Sequence, residues 1–218
     1  SIVNTGGAMT AELTQIAIDT TSEGDGIFVH AGGEARIEVA IRQSIVAHAN
    51  GTGVHALADG EASLDFGLRS SAVRGGNISL DLDAGNSGSL EFVVEDNNTF
   101  EGAASTAINL FLGQLSTAEA TLTGSITGNS VNKNDGSGFG IRINGNGDGT
   151  LSAVVENNTI EKGVTFDHGI FAEARLGNGR TNLVLRGNFV RVGEQALDGI
   201  RVAVRDGASL CAAIEGND

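Results

Sequence analysis

Apolar and polar residues alternate with period two in short runs along this chain. No run sustains the 3.6-residue period of an amphipathic helix. In Ile27-Phe28-Val29-His30-Ala31 the aliphatic side chains point one way, and Phe28 and His30 point the other. Each such run reads as a half-buried strand. Turn formers separate the runs: Gly32-Gly33, Asp59-Gly60, Gly85-Asn86-Ser87-Gly88, Asp148-Gly149, Gly177-Asn178-Gly179 and Asp206-Gly207. These residues supply the positive φ angles that sharp corners need.

The runs recur as a repeat. The opening phrase returns as Gly53-Val54-His55-Ala56, Asn77-Ile78-Ser79-Leu80, Ala107-Ile108-Asn109-Leu110, Gly140-Ile141-Arg142-Ile143, Gly169-Ile170-Phe171-Ala172 and Gly199-Ile200-Arg201-Val202. With Ile2 in the same slot, its lead aliphatics are spaced 25, 27, 24, 30, 33, 29 and 30 residues apart. A second phrase carries Leu13 and Ile18, Ile37 and Ile41, Leu64 and Leu68, Leu90 and Val94, Leu122 and Ile126, Leu151 and Val155, then Leu210 and Ile214. In the seventh repeat Thr181 takes the leucine slot, and Leu183 and Leu185 supply the apolar pair. A closing slot holds Thr21, Ser44 and Ser71, followed by Asn98, Asn129, Asn158, Asn188 and Asn217.

Hairpins give no reason for like residues to return to like slots at this interval. A coil does, because each turn stacks on the one before. The pattern therefore predicts an all-β, single-domain parallel β-helix of about eight coils over residues 1–218. The coils are set at 1–25, 26–52, 53–76, 77–106, 107–139, 140–168, 169–198 and 199–218. At ~4.8 Å per coil the rod is roughly 35–40 Å long. The aliphatic slots become interior ladders, with Phe66 and Phe92 neighbours in one inward slot. Asn98, Asn129, Asn158, Asn188 and Asn217 form a structural ladder at a tight corner, where Asn bonds neighbouring backbone and tolerates the left-handed conformation.

The Gly-Ile-x-Val opening and the Asn-Asn-Thr-Ile closing resemble those of the right-handed parallel β-helix repeat proteins. This is the pectin-lyase-like architecture of bacterial surface and secreted proteins. The resemblance spans the whole chain. It implies a right-handed coil, in line with the general handedness of parallel crossovers. It implies no one function, because the group holds polysaccharide lyases and hydrolases, phage tail spikes and autotransporter passengers.

Composition narrows the function. The formal net charge of −14 makes nucleic acid and anionic membrane surfaces poor partners. No apolar run approaches the ~18 residues of a membrane helix. The single Cys211 excludes a disulfide scaffold. No secretory signal opens the sequence at Ser1, so any export signal is expected outside it. Neither end shows a cap, so the strand edges at both ends are expected to meet more of the same solenoid or a head-to-tail neighbour.

Candidate chemistry is sparse. On the outer face of the first strand the repeat lines up Val3, Phe28, His55, Ser79, Asn109, Arg142, Phe171 and Arg201, then Thr5, His30, Leu57, Asp81, Phe111, Asn144, Glu173 and Ala203. In that alignment Asp81 and Glu173 are the only acids, three coils or about 14 Å apart. Glycosidase carboxylate pairs span ~5–9.5 Å. No catalytic residue and no cofactor is therefore assigned. Sugar platforms favour Trp and Tyr, and the chain has neither. Calcium is a possible cation for the carboxylates. Its weak candidates are Asp81 and Asp83 on one strand face, and Glu38, Asp65 and Glu91 stacked in one outward slot of three coils. The first 109 residues hold 15 of the acids and 4 of the bases, which favours that half for a cation. His30 and His55 sit diagonally on adjacent coils and read as exposed histidines beside Phe28 and Leu57. Asn144-Gly145-Asn146-Gly147-Asp148-Gly149 resembles the start of an EF-hand loop, but Val155 stands where its last ligand belongs, so it reads as an inter-strand turn.

The expected function is a non-enzymatic structural or adhesive solenoid, extracellular or on a cell surface, touching a protein or a glycan. A carbohydrate-active domain is the alternative. Far-UV circular dichroism is expected to show β-structure; substantial helix would refute the fold.

Overall fold

The computed structural model describes residues 1–21, 24–113, 119–133, 138–162, 168–194 and 197–218. The chain forms a right-handed parallel β-solenoid with three sheets running along its length. The first sheet stacks Ile2–Asn4, Ile27–Ala31, Thr52–Ala58, Ile78–Ala84, Thr106–Leu112, Phe139–Asn146, Ile170–Arg175 and Ile200–Val204. The second stacks eight strands from Ala8–Thr14 to Ser209–Glu215. The third stacks seven, from Ala17–Thr21 to Phe189–Val192. The coil therefore makes about seven full turns, and an eighth that is described as far as the corner after its second-sheet strand. Every pairing is parallel, so each backbone ladder links one coil to the next.

Inward aliphatic side chains fill the space between the sheets. Val54, Leu64, Leu68, Leu80, Leu90 and Ile108 are fully buried, each worth about 1.5–3 kcal/mol over exposure. Phe66 and Phe92 face each other in register and are both buried. Thr181 holds the leucine slot opposite Leu151 and is buried.

Four positions differ from the alignment read off the repeat. Ile2 pairs with Val29, not Ile27, so Val3 lies beside His30 and Thr5 is displaced from that slot. Val54 pairs with Leu80, not Ile78, and Leu80 pairs with Ile108. In the second sheet Met9 and Leu13, not Leu13 and Ile18, stand over Ile37 and Ile41. The closing slot below Ser44 is held by Ile16, not Thr21, because Ala17 pairs with Ile45. The first two displacements are by two residues, which keeps every side chain on its own face, and the other two, by four or five residues, both fall in the first coil.

The corner between third and first sheets shows what sets the register. A Cβ on Gly53 would lie 2.6 Å from the Ser79 carbonyl oxygen, and one on Gly169 would lie 2.7 Å from that of Gly199. Coils approach too closely there for a large residue. Gly26, Gly53, Ser79, Ala107, Gly140, Gly169 and Gly199 all hold this place, one residue ahead of the lead aliphatic. Ser79 meets the requirement, which makes Leu80 the lead residue of its coil.

The corner between second and third sheets carries a buried polar ladder. Nδ2 of Asn98 donates to Oδ1 of Asn129 (2.9 Å), and the bond repeats from Asn129 to Asn158 (3.1 Å), Asn158 to Asn188 (3.0 Å) and Asn188 to Asn217 (2.9 Å). Each receiving Oδ1 also accepts from the backbone N–H of the preceding Asn. Each Nδ2 also donates to a carbonyl of the preceding coil, as Asn158 does to Ile126 at 2.9 Å. The series continues with hydroxyls: Ser71 N–H donates to Asn98 Oδ1 at 2.9 Å, and Ser44 N–H to Ser71 Oγ at 3.1 Å. The left-handed residue is not the Asn itself but the one before it. Gln15, Gln43, Ser70, Asn97, Gly128, Asn157, Gly187 and Gly216 all have φ between 48° and 68°.

Replacing Asn158 with Ala strands several of these groups in a water-free corner, at about 1–3 kcal/mol for each group left unpaired. Asn158→Ala is therefore expected to lower stability by about 3 kcal/mol or more in urea unfolding. Gly128→Ala, which meets no atom within 4 Å, is expected to cost about 1–2 kcal/mol through its positive φ alone.

Candidate functional site

Most of the chain's unusual side chains lie on the outer face of the first sheet. The corrected register reads Phe28, His55, Asp81, Asn109, Arg142, Phe171 and Arg201 across seven coils. The row beside it reads Val3, His30, Leu57, Asp83, Phe111, Asn144, Glu173 and Ala203. Asp81 thus stands in the slot expected for Ser79, directly beside His55, and Asp83 stands where Asp81 was expected.

This shift builds a cluster. Adjacent strands place His55, Asp81 and Asp83 so that one ligand atom from each lies within 4.8 Å of the other two. Nε2 of His55 is 3.1 Å from Oδ2 of Asp83. Its Nδ1 is 3.3 Å from Oδ2 of Asp25, which precedes the neighbouring strand. The other oxygen of Asp25 accepts from the Thr52 N–H at 2.8 Å. Gly51 leaves room for this carboxylate, since a Cβ there would lie 2.7 Å from Asp25 Oδ1. Nδ2 of Asn109 donates to Oδ1 of Asp81 at 2.7 Å. Oδ1 of Asp83 is shut off from solvent and takes no hydrogen bond from a nitrogen or hydroxyl donor. Below the cluster opens a groove of about 410 Å³, lined by His55, Leu57, Asp59, Asp83, Asn86 and Phe111 among others.

The electrostatics follow from partial burial of like charges. Burial, then the Asp83 charge, pushes the Asp81 carboxyl up to about 7, against the Asn109 hydrogen bond and the His55 charge. Burial opposes protonation of His55. Its hydrogen bond to Asp83, the charges of Asp83 and Asp81 and the Asp25 contact outweigh that penalty and raise it to about 8.

A second neighbourhood lies farther along the same face. The rings of Phe139, His168 and Phe171 stack at centroid distances of 5.1 to 6.0 Å. The guanidinium of Arg142 lies 5.4 Å from the Phe139 ring centre. Glu173 is buried and held by Arg205 Nε at 2.8 Å, with Arg175 Nε at 3.6 Å. With its amide oxygen toward Arg142, Asn144 accepts from Nε at 2.8 Å. The face is therefore acidic with histidine at one end, and rich in arginine and aromatic rings at the other.

The remaining sequence candidates are dispersed. Glu38, Asp65 and Glu91 do align on three coils. Asp65 has Arg36 Nη2 at 3.9 Å, and among the described residues these three acids form no group within metal-binding reach. Asn144 and Asn146 are buried on a strand rather than presented by a loop. His30 and His55 do not converge; the Phe28 ring lies beside both, 5.9 Å and 5.1 Å away. Cys211 is exposed and free. The alignment by lead aliphatics missed the joining of His55 to the Asp81 strand. The small residue before each lead aliphatic was the signal that would have found it.

Comparison with models of known protein families, with curated proteins and with solved structures finds no match. The fold and the site therefore rest on the chain's own pattern and geometry.

Both pKa shifts act in one direction. A raised His55 contributes stability that is full below pH 6.5 and is lost as pH rises through about 8. A raised Asp81 contributes stability present below 3.8 and lost as pH rises through about 7. In metal-free protein, Asp81→Asn is thus expected to gain melting temperature over the parent between pH 5 and pH 8.5. A difference that shrinks with rising pH would contradict the assignment.

Proposed function

We propose that this chain is a non-enzymatic structural or adhesive solenoid of a bacterial surface or secreted protein, and that its contact face is the outer side of the first sheet. One observation carries the reading. Three of the chain's four histidines, the Phe139–His168–Phe171 stack and the buried Glu173 with its arginines gather on or beside that face. The outer face of the second sheet, by contrast, sets small and hydroxyl residues such as Ala40, Gly67, Ser125 and Ser152 among charged ones such as Arg42, Arg69, Glu95 and Arg186, with neither histidine nor aromatic ring. A long face with opposite charge character at its two ends suits a partner that lies along several coils. Charge complementarity of this kind sets orientation and encounter rate more than raw affinity. The likeness of the repeat to surface and secreted β-helices supports the location, and the high acidity supports solubility outside the cell.

One observation favours the carbohydrate-active alternative. Asp81, held protonated near neutrality, adjoins a second carboxyl above an open groove, an acid beside a carboxylate as in glycoside hydrolysis, although their oxygens stand closer than the ~5–9.5 Å of such pairs. The absence of Trp and Tyr counts against it. A panel of uronate polymers and neutral glycans separates the two. No turnover is expected from the parent chain. Turnover that disappears in Asp81→Asn or Asp83→Asn would overturn the non-enzymatic reading in favour of the alternative.

A further inference from the structure

The geometry points to a zinc-type divalent metal site on this solenoid, formed by His55 Nε2 and the carboxylates of Asp81 and Asp83, with a fourth position open to the adjoining groove. The site goes beyond the contact-face reading and stands independently of it. The donor set comes first: one imidazole and two carboxylates are three of the ligands zinc commonly takes, and three protein ligands with one open position are the pattern of its reactive sites. In a tetrahedral site with bonds of about 2.0–2.1 Å, ligand atoms stand about 3.3 Å apart. Here the His55–Asp83 pair is 3.1 Å apart and all three atoms fall within 4.8 Å, so modest side-chain rotation closes the set.

Asp25 supplies the second argument. Its carboxylate faces Nδ1 of His55 at 3.3 Å and would keep a proton on that nitrogen when a cation displaces the one on Nε2, leaving the Nε2 lone pair toward Asp81 and Asp83. A carboxylate behind the non-ligating nitrogen is the usual support of a metal-bound histidine. Asp25 is itself fixed by the Thr52 N–H and by the space that Gly51 leaves. Asn109 performs the same service for Asp81. The third argument is the shielded Oδ1 of Asp83, which takes no hydrogen bond from a nitrogen or hydroxyl donor. That oxygen is withheld from water, while Oδ2 faces His55 at the edge of the groove. The ligands also come from adjacent coils, so a bound ion would clamp the strands Thr52–Ala58 and Ile78–Ala84 together across their ladder.

The donor set also selects among cations. Calcium takes six to eight oxygen ligands and magnesium an octahedral oxygen shell. Two carboxylates and an imidazole nitrogen favour zinc, cobalt or copper over either. The open position, above a groove of about 410 Å³, would take water or the carboxylate or phosphate group of a small anion.

The experiment uses the full 218-residue chain, stripped with chelator and titrated with Zn²⁺, Co²⁺, Ca²⁺ and Mg²⁺ by calorimetry and thermal shift. One equivalent of Zn²⁺ is expected to bind and to raise the melting temperature, with Ca²⁺ and Mg²⁺ at least ~100-fold weaker. His55→Ala and Asp83→Asn are expected to abolish the one-equivalent binding. Asp25→Asn, which keeps every ligand, is expected to weaken it by about 10–100-fold. The Co²⁺ form reports geometry directly and does not depend on variants folding well: intense tetrahedral absorption bands support the site. Absent Zn²⁺ binding, binding unchanged in His55→Ala, tighter Ca²⁺ than Zn²⁺, or a weak octahedral cobalt spectrum would each overturn it. None of these outcomes depends on glycan turnover or adhesion.

Discussion

The structure depends on the in-register stacking of one coil on the next, and the asparagine corner is where that constraint is tightest. Asn129, Asn158 and Asn188 are buried, and each bonds its side chain to the coils above and below it. A buried amide without those partners would cost more than the corner gains. The ladder therefore holds only as a series. The residue before each Asn takes a left-handed conformation, which turns the chain sharply and aims the amide inward. Glycine, asparagine, glutamine and serine all serve there, so the geometry is common to every coil although the residue is not. Stability of this kind is carried by contacts between neighbouring repeats and spreads along the rod.

The same stacking governs the outside. Like slots lie above like, so any charge in a repeat meets its counterpart one coil away. The chain answers this with alternation in places: Arg186 pairs with Glu156 at 2.9 Å, and Arg69 pairs with Glu95. Water screens these exposed pairs, so they add little to stability. Where alternation fails, chemistry collects. Asp81 and Asp83 share a strand, and their mutual repulsion and partial burial keep a proton on Asp81 near neutrality. His55 answers them from the adjacent coil. The cluster thus exists because two repeats, 26 to 28 residues apart in sequence, are locked at strand spacing.

Much of this was legible in the chain. The period-two alternation, the repeat length and the closing Asn series pointed to a parallel coil, and the three parallel sheets agree. Glu38, Asp65 and Glu91 were read into one slot and lie in one. The cluster was legible only in part. Alternation places Asp81 and Asp83 on one face, but the spacing of lead aliphatics sets His55 beside Ser79, and nothing in the repeat marks Asp25. The buried Glu173 with Arg175 and Arg205 also escaped, because those arginines lie beyond the slots that were aligned.

The sequence by itself determined the class of fold and the face on which each side chain stands, because alternation with period two assigns faces without reference to any neighbour. It left the register open wherever two aliphatic residues stood two apart, as Ile78 and Leu80 do. A slip of two residues preserves every face, so hydrophobicity alone cannot choose between them. Tertiary structure chose, through the close approach of coils at the corner where Ser79 lies against Gly53. That choice moved Asp81 beside His55 and Asp83 beside Leu57, and so decided whether the outer face carried a site.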